Sequence, residues 1–351
     1  MRAMRIEEIW CELEAEAQAG RPSAWLTRFA LPQPAQPLLV ALEAGTHRRA
    51  LLLPVPKAAI PARRDWPNCR GLEVFSVALS GQAHLGVRLC DLACADVFAA
   101  LAEDVAPRVA AAANARAAAK ALLDRLRRWQ KFLAAGVAGL SPEQQRGLYG
   151  ELHTMRAHLL PGLGAAVAVA GWRAPLAAHQ DFQFATGAVE VKTTSAKQPQ
   201  SVRITSERQL DDTGISALFL QIVVLDERLV EGDGIVHGET LPEIVRLLRQ
   251  QLQPDALTAE TFDDRLLEAG YLDADAPRYE NRRFSLRQEH TFRVRRGFPR
   301  LVERDLSLGV GDVSYALSLA ACESFSVKPA QALAVIAGES TRKKSKSEHH
   351  E

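Results

Sequence analysis

The sequence predicts an α/β (α+β) protein in which a β-rich N-terminal domain precedes a larger domain of mixed strands and helices. Three observations support this fold class. Apolar runs separated by turn residues fill about the first hundred positions, an alanine-rich helical pattern follows, and strand patterns alternate with amphipathic helices beyond Ser141. The 351 residues exceed what one small core needs and suit two domains, or one domain with a large extension.

The first domain, residues 1–103, is expected to contain two β-hairpins. Each hairpin pairs two apolar runs across a turn sequence. The pairs are residues 37–44 with 48–55 around Gly45-Thr46-His47, and residues 71–79 with 83–90 around Ser80-Gly81. Strands of this kind need a partner layer, so we expect a small antiparallel sheet packed on a helix.

Residues 104–138 are expected to form one long connecting helix. The segment is rich in alanine, which has the highest helix propensity. Its larger apolar residues recur at helical spacing and give one buried stripe, made of Leu122, Leu126, Trp129 and Leu133.

The next domain, residues 139–340, begins with a helix. Ser141 is expected to cap it, with Pro142 at the first helical position and Gln144 completing a capping box. Later elements are expected as strands at 181–184, 188–194, 201–205, 215–225 and within 278–302, helices at 241–252 and 259–269, and a strand or helix at 313–322. Residues 341–351 are polar and charged and are expected to be disordered.

Residues 180–192 are predicted to form a hairpin with chemistry on one face. If Thr186-Gly187 is a two-residue turn, Asp181 faces Lys192 and Gln183 faces Glu190. Because strand side chains alternate between faces, the polar and apolar residues separate completely. One face carries Asp181, Gln183, Glu190 and Lys192, and the other carries Phe182, Phe184, Val189 and Val191.

The polar face of this hairpin suits a divalent cation. Two neighbouring carboxylates repel each other, and Mg²⁺ relieves that repulsion because it prefers oxygen ligands, at about 2.1 Å. A bound ion polarises a phosphoryl group and activates water, and a lysine beside it can orient that water and stabilise developing charge. The alternative is a solvated cross-strand ladder of ion pairs, which would contribute little energy.

A helix glutamate, a strand aspartate and then E-x-K on the next strand resemble the PD-(D/E)XK nuclease superfamily of restriction and repair enzymes. The matching pieces are Gly147-Leu-Tyr-Gly-Glu151, His179-Gln-Asp181-Phe and Val189-Glu190-Val-Lys192-Thr-Thr. Residues 203–210 and Phe298-Pro-Arg-Leu301 also look like a bacterial subfamily of this group. The proline of the family name is absent, because Gln180 precedes Asp181.

The resemblance implies a restriction-endonuclease-like mixed sheet flanked by helices and a role for each matching residue. Asp181, Glu190 and the carbonyl of Val191 would bind Mg²⁺, with Mn²⁺ as a substitute. Lys192 would orient the attacking water, and Glu151 would act through a water or a second ion. The implied reaction is hydrolysis of DNA to 5′-phosphates, in bacterial restriction or phage defence.

Residues 278–305 hold nine arginines against four acidic residues, although the whole chain has a net charge of only +1. Nucleic-acid binding would therefore depend on a local patch. We expect phosphate contacts from the arginines of this segment, namely Arg283, Arg287, Arg293 and Arg295. The alternative is surface charge that neighbouring residues neutralise.

Other features narrow the class of protein. P-loop, H-E-x-x-H and G-x-S-x-G motifs are absent. His153 and His158, five positions apart, are not expected to share a helix face, which argues against zinc. The five scattered cysteines form no C-x-x-C pair, and no run of about twenty apolar residues occurs, so we expect a cytoplasmic protein without a membrane segment.

DNA is the expected partner, and because the chain lacks a motor, ATPase or methyltransferase subunits of a defence system are plausible further partners. A homodimer would allow both strands to be cut. Two alternatives remain open: a non-catalytic DNA-binding or scaffold subunit that keeps the fold, and a nuclease that acts on RNA.

Overall fold

The computed structural model describes residues 5–20, 24–32, 34–69, 71–135, 139–176, 178–230 and 237–338. Contacts divide the chain into two units, Met1–Gly139 with Leu272–Ala274, and Leu140–Tyr271 with Asp275–Glu351. The tail at 341–351 lies outside the described residues, so its expected disorder stays a prediction, as do the domain boundaries drawn from the sequence.

The first unit contains a five-stranded antiparallel sheet in the order β1-β2-β3-β5-β4. The strands are β1 (Trp25–Phe29), β2 (Leu39–Glu43), β3 (Arg48–Pro54), β4 (Leu72–Leu79) and β5 (Gln82–Leu89). Both predicted hairpins are present as the pairs β2–β3 and β4–β5. Ser80 and Gly81, between β4 and β5, have positive φ angles, as a tight turn requires.

The helices of the first unit differ from the prediction in two ways. Helix α1 (Ile6–Gln18) was not predicted, and its buried Trp10 donates from Nε1 to the carbonyl of Ala41 at 3.0 Å. The single helix expected at 104–138 is wrong: α2 (Ala95–Ala110) ends before α3 (Ala115–Ala135) begins. The break has a local cause, because the Asn114 side chain accepts the N–H of Ala117 at 2.9 Å and so caps a new helix.

The second unit is built on a five-stranded mixed sheet in the order β10-β11-β9-β7-β6. Its strands are β6 (Phe182–Phe184), β7 (Gly187–Thr194), β9 (Leu218–Leu229), β10 (Glu239–Thr240) and β11 (Arg282–Val294). Strands β7 and β9 run parallel, and the other neighbours are antiparallel. A separate antiparallel pair joins β8 (Ser201–Ile204) to β12 (Tyr315–Ser318).

Helices cover one face of this mixed sheet. They are α4 (Pro142–Thr154), α5 (Leu160–Leu163), α6 (Ala165–Gly171), α7 (Leu241–Leu252), α8 (Ala256–Glu268), α9 (Ala276–Tyr279) and α10 (Pro329–Ile336). Their core includes Val189, Val191 and Phe219 of the sheet. The other face, with Leu218 and Leu220, packs against β8 and β12. This arrangement bears out the predicted α+β class with a mixed sheet.

The ends of several elements depart from the prediction. The capping box of Ser141 and Gln144 is present at the start of α4, with Pro142 as the first helical residue. The predicted strands within 278–302 reduce to β11, because residues just before it form α9. Segment 313–322 contains both alternatives, a strand followed by the 3₁₀ helix Leu319–Phe325. Among the residues that the structure describes, no helix is both long and apolar enough to cross a membrane.

Candidate active site

The predicted hairpin exists, but its turn lies one residue earlier than expected. Phe182 pairs with Val189 and Gln183 with Ala188, so the turn is Ala185-Thr186 and the predicted pairs are wrong. The pairing moves by two positions, which leaves every side chain on its predicted face. Phe182 and Val189 accordingly enter the helical core, away from Glu190.

Gly187 explains the shifted turn. The residue lies in β7, where a Cβ atom would meet the carbonyl oxygen of Ala217 at 2.7 Å. The N–H of Ala188 donates to that same carbonyl at 2.8 Å. Glycine is therefore required for the close approach of β7 to the chain entering β9, and the positive φ assumed for a turn is absent.

Asp181 lies immediately before β6 and is held from two sides. Its Oδ2 accepts the backbone N–H of Val191 at 2.7 Å, which turns the carboxylate toward β7. Its carbonyl accepts the N–H groups of Arg173 and Ala174 at 2.7 and 3.0 Å. Both the main chain and the side chain of Asp181 are thereby fixed beside Glu190, whose neighbour in sequence is Val191.

Glu190 is the most buried carboxylate of the site, with 1% of its surface exposed. Its Oε1 accepts from Nζ of Lys192 at 2.5 Å. Its Oε2 is buried and finds no hydrogen-bond partner among the described residues. An unsatisfied buried carboxylate oxygen is costly, so this atom marks a position where a ligand would stabilise the protein.

Glu151 reaches the site from helix α4, as the resemblance implied. Its Oε2 accepts from Nε1 of Trp172 at 2.7 Å, and Trp172 is completely buried. The helix can approach β7 because Gly150 precedes Glu151. A Cβ atom on Gly150 would lie 2.2 Å from Cγ2 of Thr193.

Burial and neighbouring charges shift the pKa values of all four residues of the site. Burial raises the pKa of Glu151 well above its ordinary value, and the charge of Asp181 adds to the rise. Burial also raises the pKa of Asp181, although Lys192 opposes the shift. Burial and the charge of Asp181 raise the pKa of Glu190 to about 8. For Lys192, burial lowers the pKa, but the charges of Glu190 and Asp181 outweigh it and hold the pKa above its ordinary value.

These features fit a divalent cation with oxygen ligands. Three carboxyl groups hold protons more tightly than usual because burial disfavours their charged forms, and a cation would relieve that cost. Asp181 and Glu190 would supply the carboxylates, and the carbonyl of Val191 remains the predicted third ligand. Within the described part of the chain, no group of three or more His, Cys, Asp or Glu side chains is arranged to hold a metal. The role expected of Glu151, through a water or a second ion, stays a prediction.

Sequence reasoning missed two residues that organise the site. Besides Trp172, the buried Gln180 donates from Nε2 to the carbonyls of Arg208 and Gln209 at 3.0 and 3.5 Å, and its Oε1 accepts from Gln183. Gln180 thus ties the turn at 207–210 to the segment that carries Asp181. The available signal was its position next to Asp181, where the family name has proline.

The four arginines expected to contact DNA already have partners within the protein. Arg283 donates to the carbonyl of Gly238 and pairs with Glu243, and Arg287 donates to backbone carbonyls and pairs with Asp226. The other two lie over aromatic rings, Arg293 over Phe219 at 5.9 Å and Arg295 over Phe325 at 5.7 Å. Their role in DNA binding stays a prediction.

His153 and His158 do share a helix face, which corrects the sequence-based expectation. Residues Met155–Leu159 form a π-helical turn, in which hydrogen bonds join residues five apart and so bring positions five apart onto one face. Both imidazoles donate from Nε2 to Oε1 of Glu289, at 3.2 and 3.0 Å. Among the described residues, no group of three such side chains is arranged to hold a metal. The two histidines and Glu289 form a hydrogen-bonded bridge from α4 and the π-helical turn to β11.

The chain is similar to a known protein family. A family model described as "Putative PD-(D/E)XK family member, (DUF4420)" matches residues 6–320. The chain matches no curated protein and no solved structure. The matched span includes all four residues of the candidate site: Glu151, Asp181, Glu190 and Lys192.

Proposed function

Because the chain belongs to this PD-(D/E)XK family, we propose that it is a metal-dependent nuclease that hydrolyses DNA phosphodiester bonds. The observation that carries the proposal is the environment of Glu190. One carboxylate oxygen contacts Lys192, and the other is buried without a partner among the described residues. Asp181 precedes the pair Phe182–Val189 and so lies opposite Glu190, and its Oδ2 accepts the N–H of Val191, the next residue of β7, at 2.7 Å.

Each residue of the site has a distinct task in this proposal. Asp181 and Glu190 would hold Mg²⁺, or Mn²⁺ in its place, together with the carbonyl of Val191. When bound, the ion would polarise a phosphoryl oxygen and lower the pKa of a coordinated water. Lys192 keeps its positive charge beside the carboxylates, where it stabilises negative charge developing on the phosphate. Glu151, fixed by Trp172, would accept or orient the proton of a water molecule.

The setting we propose is restriction or phage defence in a bacterial cytoplasm, with DNA cut to 5′-phosphate ends. This part of the proposal follows from the kind of enzyme that the family resembles. ATPase or methyltransferase subunits would supply the movement along DNA or the recognition of modification for which this chain has no motif. A plating assay with phage, comparing the parent with Lys192→Ala, tests the setting.

The reaction itself is tested with the purified full chain on plasmid and linear DNA, and on RNA, with Mg²⁺, Mn²⁺ or EDTA. We expect cleavage of DNA by the parent with either metal and none with EDTA. Glu190→Ala and Lys192→Ala should each abolish cleavage while leaving the fold intact. Lys197→Ala, which removes an exposed lysine shortly after β7, is the matched control and should cut as the parent does.

Two results would overturn the proposal. Equal cleavage by the parent, Glu190→Ala and Lys192→Ala would remove the site assignment. DNA binding that ignores Mg²⁺, with no cleavage under any condition, would favour the non-catalytic DNA-binding subunit. Cleavage of RNA alone would keep the site and correct the substrate.

A further inference from the structure

Arg173 lies on the same face of the sheet as the carboxylate site. Trp172 and Phe182 form an antiparallel bridge, and the N–H of Arg173 donates to the carbonyl of Asp181 at 2.7 Å. Residues that oppose each other in an antiparallel pair present their side chains on one face. Trp172 and Phe182 both enter the helical core, so Arg173 and Asp181 are directed to the opposite face.

That opposite face is the one that Glu190 and Lys192 occupy. Val189 and Val191, which alternate with them along β7, belong to the helical core. Successive strands therefore place Lys192 and Glu190 first, Asp181 next and Arg173 outermost. Arg173 therefore continues the row of charged residues that β7 and Asp181 begin on this face.

The Arg173 side chain is exposed and has no ion-pair partner among the residues that the structure describes. This separates it from Arg283 and Arg287, which donate to protein carbonyls and carboxylates. An arginine that no protein group occupies is available to a ligand, and its planar fork suits the paired oxygens of a phosphate.

Arg208 provides a second exposed guanidinium near the same segment. Gln180, the residue before Asp181, holds the carbonyl of Arg208 at 3.0 Å. The Arg208 side chain is 52% exposed, and its nearest carboxylate, on Glu207, is 3.8 Å away. The other carboxylate oxygen of Glu207 accepts the N–H of Val313 at 3.0 Å, so this carboxylate is shared between Arg208 and the backbone.

We propose that Arg173 and Arg208 bind the phosphates of the nucleic-acid strand that flank the one held at the carboxylate site. The inference rests on the proposed nuclease function and assigns its backbone-binding residues. A nucleic-acid strand is a polyanion, so the phosphates on either side of the carboxylate site need cations to hold them there. These two arginines can supply those cations, whereas the arginines of β11 contact carboxylates, carbonyls or an aromatic ring of the protein.

The test measures how binding of a fluorescent DNA duplex depends on salt, with Mg²⁺ present. All variants are made in the full chain that also carries Lys192→Ala, so that bound DNA is not cut. Each phosphate contact contributes about 0.9 to the slope of log affinity against log salt concentration. Arg173→Gln and Arg208→Gln should each lower the slope by about that amount and weaken binding roughly tenfold.

Matched variants separate charge from structure. Arg173→Lys keeps the charge and should keep most of the slope, since counterion release depends on charge. Arg293→Gln and Arg295→Gln on and after β11 should leave the slope unchanged. Melting temperatures confirm that each variant is folded.

An unchanged slope and affinity in the double variant Arg173→Gln with Arg208→Gln would overturn the inference, as would a slope that falls only in the β11 variants. If the parent cuts DNA while the double variant binds normally, this inference fails and the proposed function stands. If the parent neither cuts nor binds nucleic acid, the proposed function fails first and takes the inference with it.

Discussion

Nζ of Lys192 lies 2.5 Å from one oxygen of Glu190, while the other oxygen of that carboxylate has no partner in the part of the chain that the structure describes. The lysine therefore satisfies only half of a buried group. Leaving such an atom unsatisfied costs about 1–3 kcal/mol, a cost that a bound cation would remove. A cation bound at this oxygen would therefore stabilise the folded protein.

Magnesium affinity should rise with pH because the ion competes with a proton at Glu190. Burial and Asp181 raise the pKa of this group to about 8, so below that pH the carboxyl is mostly protonated and must lose its proton to bind metal. We expect the Kd for Mg²⁺ to fall between about pH 6 and pH 8 and to level off above. Thermal-shift titrations with Mg²⁺, each at a fixed pH, measure this Kd.

The matched variants are Glu190→Gln and Glu280→Gln, the second at an exposed position. Mg²⁺ at about 100 times its Kd should stabilise the parent and Glu280→Gln by about 2.7 kcal/mol. Glu190→Gln should lose that stabilisation. A Mg²⁺ affinity that does not change with pH, or that survives in Glu190→Gln, would contradict the assignment.

The sequence predicts the faces of the site residues correctly, but it does not predict the turn of the hairpin that carries them. Alternation placed Asp181, Glu190 and Lys192 on one face correctly, because face depends only on whether positions are odd or even. The predicted turn is one residue too late because glycine is typical of tight turns, whereas Gly187 lies in β7. Glycine is required there by the carbonyl of Ala217, which lies just before β9, far along the sequence, and leaves no local signal.

The two glycines of the Gly147-Leu-Tyr-Gly-Glu151 motif should respond differently to substitution. A Cβ atom on Gly150 would lie 2.2 Å from Cγ2 of Thr193, whereas no described atom outside the helix lies within 4 Å of one on Gly147. Gly150→Ala should destabilise the protein by about 1–3 kcal/mol and slow cleavage, because α4 positions Glu151. Gly147→Ala should stabilise it by about 0.5–1 kcal/mol.

Urea unfolding measures both effects, and a second substitution tests the cause. Thr193→Ser removes the Cγ2 atom and should recover most of the stability lost in Gly150→Ala. If the double variant is as unstable as Gly150→Ala alone, the contact with Thr193 is not what requires glycine.

Trp172 should matter for catalysis through Glu151. Trp172→Phe keeps an aromatic ring but removes the N–H that donates to Glu151 at 2.7 Å. That hydrogen bond lowers a pKa which burial and Asp181 raise, so its loss should raise the pKa of Glu151 further. We expect a lower kcat, an unchanged KM, and an acidic limb of the pH–rate profile displaced to higher pH.

Trp10→Phe is the control for the general cost of such a change. It removes the hydrogen bond from Trp10 to the carbonyl of Ala41 in the first unit. It should lower the free energy of unfolding by about 1 kcal/mol and leave the pH–rate profile in place. An unchanged profile in Trp172→Phe would reduce Trp172 to a packing role.

The alignment of His153 with His158 could not be predicted from the sequence. Positions five apart do not align on an α-helix, and the π-helical turn at Met155–Leu159 that aligns His153 with His158 has no recognised sequence signature. The break between α2 and α3, by contrast, had a visible signal in Asn114, a favoured capping residue. Helix caps could therefore be predicted from the sequence, whereas a local change from α-helix to π-helix could not.

Glu289 should stabilise the second unit at neutral pH and stop doing so in acid. Burial raises its pKa, but the hydrogen bonds from His153 and His158 outweigh burial and lower the pKa to about 2. A carboxyl whose pKa is lower in the folded state stabilises the protein above its unfolded pKa, near 4.3, and that stability is lost as pH falls toward 2. The contribution is on the order of 3 kcal/mol.

Glu289→Gln should therefore lower the free energy of unfolding at neutral pH and make it less sensitive to acid. At about pH 2, where the parent carboxyl takes up its proton, the two proteins should approach each other in stability. Urea unfolding at a series of pH values measures the difference, with Glu280→Gln as the exposed control. If the parent and Glu289→Gln lose stability in parallel, the charge of Glu289 is not what the two histidines stabilise, and the bridge from α4 to β11 depends on neutral hydrogen bonds.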